Sequence, residues 1–246
     1  MGPLLNAHRL FVTDDARINY TISNWADNWL PFYIIVGILY LPFIFTLQFI
    51  WKKFNLPAVP YIKNWVLIHN IAFCIFSTIG GIELTTTMWE TWVAAGFSFH
   101  RTVCDGYFLS KVESHWVHWF VLSKLLELPE SIYLILEKKP LHFIHWYHHF
   151  MTYTFSVHAL VLNNPSAIYY AWMNLVVHAV MYFYYTVATI SSGRPSWGIL
   201  VTIGQILQMF VGTAVTFEIL FLCEAPYELV FSFFFSSYER VFIYSL

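Results

Sequence analysis

The stretch LHFIHWYHHFMTYTF, residues 141–155, sets His145, His148 and His149 among apolar and aromatic neighbours. Their spacing of i, i+3, i+4 brings the three imidazoles onto one face of a helix. The surrounding run reads as a membrane helix, where an ionisable group must face a partner or a wet cavity. The rest of the chain supports that setting. Of 246 residues, 59% are hydrophobic, 21% aromatic and only 11% charged, against roughly a quarter charged in an ordinary soluble domain. So little charge cannot cover a water-facing surface, and the chain is read as an integral membrane protein. The formal net charge of −2 says little about partners, and no nucleic-acid partner is expected. The opening MGPLLNAHRLFVTDDARINY lacks the basic-then-apolar pattern of a cleavable signal peptide. No repeat or linker interrupts the sequence, so one domain is expected over 1–246.

A hydrocarbon core of about 30 Å takes about 20 apolar residues per helix. About seven transmembrane helices are expected: 30–51, 64–84, 115–136, 143–162, 166–190, 197–222 and 226–246. Segments rich in Pro, Gly or Asn separate several of them, among them NLPAVP (55–60), NNPS (163–166) and SSGRPS (191–196). Lys52, Lys53, Lys63, Lys138, Lys139 and Arg194 fall in the short connections on one side. The positive-inside rule makes that side cytosolic. The N-terminal segment 1–29 and the opposite loops are then lumenal, and the C-terminus is cytosolic. Asn19 opens an Asn-Tyr-Thr glycosylation triplet on the predicted lumenal side.

Further polar groups occupy the spans. SKLLELPES carries Lys124, Glu127 and Glu130; MNLVVHAVMYFYY carries Asn174 and His178 one turn apart; TIGQILQ carries Thr202, Gln205 and Gln208. At 1.5 Å per residue, His148, Glu130 and Glu127 lie about 8 to 14 Å from the cytosolic end. Gln205, Gln208 and His178 lie about 12 to 18 Å from it. Four helices thus place polar groups in one layer. Structural readings stand beside the functional ones. Lys124 and Glu127 could form an ion pair between helices, and Gln205, Gln208 and Asn174 could be interhelical hydrogen-bond glue. Tyr182, Tyr184 and Tyr185 read as an interfacial belt. His115, His118, His142 and His158 read as interfacial or structural.

Imidazoles at such a site can bind metal, move protons or act as nucleophiles. HxxHH boxes ligate iron in membrane desaturases and hydroxylases, but several boxes are needed, and this chain has one. No metal is therefore assigned, and a di-iron oxygenase is the alternative. A seven-helix transporter is a second alternative, although transporters commonly show internal repeats and helix breaks in matching halves.

Taken in order, KLLELPES, HWYHH, NLVVHAVMYFYY and TIGQILQ resemble the ELO family of very-long-chain fatty acid elongases, the 3-ketoacyl-CoA synthases of the endoplasmic reticulum. The motifs cover 124–208, and the span layout extends the similarity over nearly the whole chain. Two departures stand out: Glu130-Ser131 where the family usually has Asp-Thr, and Pro129 where it has Gly. The chain also ends at Leu246 without the basic tail of many relatives.

The resemblance implies condensation of acyl-CoA with malonyl-CoA to 3-ketoacyl-CoA, CO2 and CoA, through a histidine-bound acyl intermediate. It assigns His148 as acyl acceptor, His178 with Asn174 to the malonyl thioester, and His145 and His149 to tautomers and hydrogen bonds. Lys124, Glu127, Glu130, Gln205 and Gln208 would form the supporting polar network. CoA phosphates would meet Lys53, Lys138, Lys139 or Arg194. No cofactor is implied. The implied partners are the ketoacyl reductase, dehydratase and enoyl reductase of the cycle, and homo-oligomerisation is left open. Trp146 and NLVVHAVMYFYY resemble elongases of saturated and monounsaturated chains. Finally, the topology puts Cys104 and Cys223 in the oxidising lumen, where a bridge between them is expected, and Cys74 inside a helix.

Overall fold

The computed structural model describes residues 16–104, 115–161, 167–191 and 193–223. These form helices α1 (Ala16–Lys53), α2 (Ile62–Ala94), α3 (Phe99–Cys104), α4 (His115–Glu127), α5 (Pro129–Leu136), α6 (Phe143–Val161), α7 (Ala167–Ile190) and α8 (Gly198–Phe221). No strand occurs among the described residues. Among the described residues, four helices are long and apolar enough to cross a membrane: α1 from Trp29, α2, α7 and α8 to Ile219. They present apolar side chains outward, such as Ile38, Phe49, Ile82 and Phe210, each at least 60% exposed. A surface of that character suits lipid.

Described helices lie over six of the expected spans, and those over 115–136 and 143–162 are not among the four long and apolar enough to cross a membrane. The seventh, 226–246, lies outside the described residues. Three boundaries differ from expectation, each for a physical reason. First, α1 begins at Ala16, so much of the segment expected to precede the first span is helical. Asn19 lies in that first stretch, where only the backbone is described. Second, α2 runs ten residues beyond the expected end. Its extension is threonine-rich, and Thr85, Thr86, Thr87 and Thr91 bond the carbonyls of Gly81, Ile82, Glu83 and Thr87 four residues back. Their hydroxyls are thereby satisfied inside the helix. Third, the span over 115–136 is broken into α4 and α5. Pro129 has no N–H to continue the helix, and Leu128 N donates to Leu125 O in its place.

The packing core runs along α2 and α7, the most extensively paired helices. Small residues permit the approach. A Cβ on Gly80 would meet the Trp116 ring at 2.8 Å, and one on Gly81 would lie 3.6 Å from the Val176 Cα. Small residues at helix crossings are the usual route to close packing in lipid. Around this pair, α4 packs on α6, α1 on α6 and α5, and α8 on α7. Gly80 also abuts Leu175, so a larger residue there would push α2 from α4 and α7 together.

The two ends of the bundle differ in chemistry. At one end, α3 is tied to the end of α8 by the Cys104–Cys223 disulfide, with Cα atoms 5.2 Å apart. His100 Nδ1 and Glu218 Oε1 lie 2.8 Å apart beside it. Cys74 is free, as expected, and its thiol points to the Ala179 carbonyl. The other end carries Lys53 at the end of α1, Lys138 and Lys139 after α5, and Arg194 between α7 and α8.

Candidate active site

One turn of separation on α4–α5 places Glu127 and Glu130 in the interior, either side of the proline break. Each has its own set of partners. Lys124 Nζ lies 2.5 Å from Glu127 Oε1 and 2.7 Å from Asn174 Oδ1 on α7. Both Lys124 and Glu127 side chains are 1% exposed. Asn174 Nδ2 and His178 Nε2 are 3.1 Å apart, so the amide donates to the imidazole. The other ring nitrogen, His178 Nδ1, lies 3.6 Å from Glu127 Oε1. Lys124, Glu127, Asn174 and His178 therefore close a ring of polar contacts between α4 and α7. The Lys124–Glu127 ion pair exists, but within α4 and not between helices as expected, and the ring crosses to α7 through Asn174 and His178.

Glu130 is the second hub. Its Oε1 accepts from the Tyr182 hydroxyl at 2.5 Å and from His69 Nε2 at 3.0 Å. Its Oε2 lies 3.4 Å from His149 Nε2. The following residue, Ser131, is fixed by a 2.6 Å hydrogen bond with Tyr40 of α1. On α6, the rings of His145 and His149 lie 4.5 Å apart. His148 meets His149 edge-on at 5.7 Å and is within electrostatic reach of His178, Lys124 and Glu127. His145, His148, His149, Lys124, Glu127, Glu130, Asn174 and His178 are thus brought together in one layer, in which His145, His148 and Glu130 are partly buried and the other five buried.

Gln205 and Gln208 are not. The Gln205 amide points to the Met181 sulfur at 3.5 Å, and neither glutamine hydrogen-bonds to the cluster among the described residues. The fourth helix of the polar layer is α2, through His69, in place of α8. Tyr182 is also corrected: it is completely buried and bound to Glu130, not part of an interfacial belt. His69 was missed in the sequence because no polar residue lies three or four positions from it in its span. A signal for it existed. It lies seven residues into α2, about 10 Å deep at 1.5 Å per residue. Glu130, six residues from the end of α5, comes out at about 9 Å by the same rule.

The basic residues expected to meet CoA are exposed at the end of the bundle nearer this layer. Lys138 Nζ donates to Asn55 Oδ1 at 3.1 Å, and Lys139 pairs with Glu137 at 2.8 Å. Lys53 lies over the Phe49 and Phe54 rings. A groove of about 670 Å³, lined by Tyr61, Lys63, Glu137 and Lys139 among others, opens there.

Glu130, His145 and His149 offer ligand atoms within 4.8 Å of one another. Three ligands could hold one metal ion but are too few for two. His178, which a second iron would need, is engaged with Asn174 and faces Glu127.

The profile of the ELO family, described as the GNS1/SUR4 family, matches residues 24–244. Relatives with this similarity include very long chain fatty acid elongase 4 of Trypanosoma cruzi, 34% identical over 67% of this chain and 56% of its own. Very long chain fatty acid elongase 3 of Homo sapiens is 34% identical over 67% of this chain and 59% of its own. Fatty acid elongase 1 of Trypanosoma brucei brucei is 31% identical over 79% and 70% respectively. Against several relatives the match spans only 52 to 60% of their length.

Proposed function

The chain belongs to the ELO family, and from that premise we propose that it is a fatty acid elongase that condenses acyl-CoA with malonyl-CoA. The observation that carries the reading is the meeting of the α6 histidines with the Asn174–His178 pair around a buried Lys124–Glu127 ion pair. Such a layer offers both a nucleophile and donors for a developing oxyanion, in a place shielded from water.

In the first half-reaction, a His148 nitrogen attacks the acyl thioester. The C–S bond breaks, and the departing thiolate takes the imidazole proton, giving acyl-imidazole and free CoA. In the second, malonyl-CoA loses CO2, and the electron pair of the broken C–C bond becomes a thioester enolate. Asn174 and His178 together orient the thioester and stabilise that oxyanion, with the second N–H of the Asn174 amide as the donor. The enolate carbon attacks the acyl-imidazole, forming the new C–C bond and releasing 3-ketoacyl-CoA. His148 leaves as an imidazolate and recovers one proton. Holding the two carbons in contact supplies much of the acceleration.

Saturated or monounsaturated acyl chains are the proposed substrates, with the tail directed toward the disulfide end. CoA phosphates would lie against Lys53, Lys138, Lys139 or Arg194. The proposed setting is the endoplasmic reticulum, with the basic end cytosolic and seven spans in all. There a ketoacyl reductase, a dehydratase and an enoyl reductase would complete the cycle.

The test is product analysis of membranes expressing the chain, supplied with labelled malonyl-CoA and a ladder of acyl-CoA primers. The expected result is 3-ketoacyl-CoA two carbons longer than the primer, with equimolar CO2. Folded protein that yields neither product overturns the reading.

A further inference from the structure

Glu130 is a carboxylate held from three other helices, and the division of labour between its two oxygens is informative. A terminal carboxylate torsion is soft and two-fold, so a single partner would leave its plane free to turn. Here Oε1 takes two donors from different directions, Tyr182 Oη from α7 and His69 Nε2 from α2. That leaves Oε2 facing His149 Nε2 at 3.4 Å, a separation that can tighten once substrate is bound.

His69 is itself fixed. Its ring stacks on Phe73 at 4.4 Å with 26° between planes, and meets Tyr133 edge-on at 5.5 Å. The next residue along α5, Ser131, is secured by Tyr40. The consequence falls on α6. A carboxylate accepts only, so His149 facing Glu130 carries its proton on Nε2. Its Nδ1 is buried and has no hydrogen-bond partner among the described residues. The His149 ring meets the His148 ring edge-on at 5.7 Å, so the orientation of one bears on the other.

We propose that His69 is a positioning residue for the condensation: with Tyr182 it orients the Glu130 carboxylate, which in turn holds His149 in the tautomer that serves His148. The inference rests on the elongase reading and deepens it. Among the described residues His69 meets Glu130, Phe73, Tyr133 and Tyr182, so its proposed role depends on supplying one hydrogen-bond donor at one place. That requirement separates it from a residue that merely fills space.

The experiment compares the full chain with His69→Phe and His69→Gln in membranes, using labelled malonyl-CoA and a productive acyl-CoA primer. Phenylalanine keeps the ring packing and removes the donor; glutamine restores an N–H donor at similar reach. The expected result for His69→Phe is a fall in kcat of about 10- to 100-fold, as for other residues that orient a catalytic group. Both KM values should stay within about twofold, because the interaction acts on the chemical step, and the melting temperature should fall no further than the loss of one hydrogen bond to a buried carboxylate allows. His69→Gln should recover activity to within about threefold of wild type. A fully active His69→Phe, or a His69→Gln as impaired as the phenylalanine variant, overturns the proposal. Should His69→Phe fail to fold, His69→Asn takes its place. Its shorter amide leaves the donor out of reach, and it must show the same kcat loss. Wild-type chain that forms no condensation product sinks the elongase reading itself, whatever the variants do.

Discussion

Lys124 Nζ stands 2.5 Å from Glu127 Oε1, with each side chain only 1% exposed. Removing one partner of such a pair strands the other charge in the interior. Lys124→Met should therefore destabilise the protein by about 3–5 kcal/mol, read as a lower melting temperature in detergent. Lys124→Met combined with Glu127→Gln should regain much of that stability, because no charge is left uncompensated. It should remain inactive, because Asn174 loses the ammonium that holds its Oδ1. An active double variant would show that the ring between α4 and α7 is structural only.

His148→Ala should lower condensation by at least about 10³-fold while the protein stays folded. In the wild type, incubation with acyl-CoA alone should leave one acyl group on a peptide containing His148, seen by mass spectrometry. Turnover with malonyl-CoA and no acyl adduct at any time would rule out the covalent route.

Much of the site could be read from spacing. Lys124, Glu127 and Glu130, the HWYHH histidines, and Asn174 with His178 each show two or more polar groups on one face of an apolar helix. Lipid makes such repetition costly unless the groups are used. His69 and Tyr40 could not be found that way. Each is a single polar residue whose partner lies 61 or 91 positions away, and a lone residue carries no period. Tyr182 was misread because a tyrosine near a membrane boundary ordinarily sits at the headgroups. The same holds for the fold. Apolar runs revealed the described helices other than the short α3, but the break before Pro129 and the length of α2 depended on local hydrogen bonds that hydropathy does not register.

Tyr182→Phe isolates the other donor on Glu130 Oε1. Loss of one hydrogen bond to a buried carboxylate costs about 1–3 kcal/mol, so a lower melting temperature and weaker condensation should appear together. Combined with His69→Phe, the loss in kcat should differ from the product of the two single losses, because both donors serve one oxygen. Strict multiplicativity would show that they act independently.

Glu130, His145 and His149 approach one another closely enough to hold an ion, so metal content is a sharp discriminator. The purified chain is expected to condense at the same rate before and after dialysis against strong chelators, and to contain no stoichiometric iron or zinc. Two irons per chain, with activity lost on chelation, would move the protein to the oxygenase class.

The Cys104–Cys223 bridge joins residues 119 positions apart and anchors α3 against the end of α8. Beside it, His100 and Glu218 make a second tie between the same helices, while Tyr169 of α7 bonds Thr102 of α3 at 2.5 Å. Three links therefore hold α3 over the end of the bundle remote from the histidines. The crosslink should stabilise the fold by about 2–4 kcal/mol. Reduction should lower the melting temperature yet leave α3 seated, since two of the three ties survive. Condensation with short primers should then persist. Alkylation read by mass spectrometry checks the premise: without reductant only Cys74 should label, and only after the helices are loosened, because its thiol is turned to the Ala179 carbonyl inside the bundle. After reduction, Cys104 and Cys223 should label together. Labelling of either one without reductant would show that the bridge does not form, and the proposal that this end is lumenal would lose its chemical support.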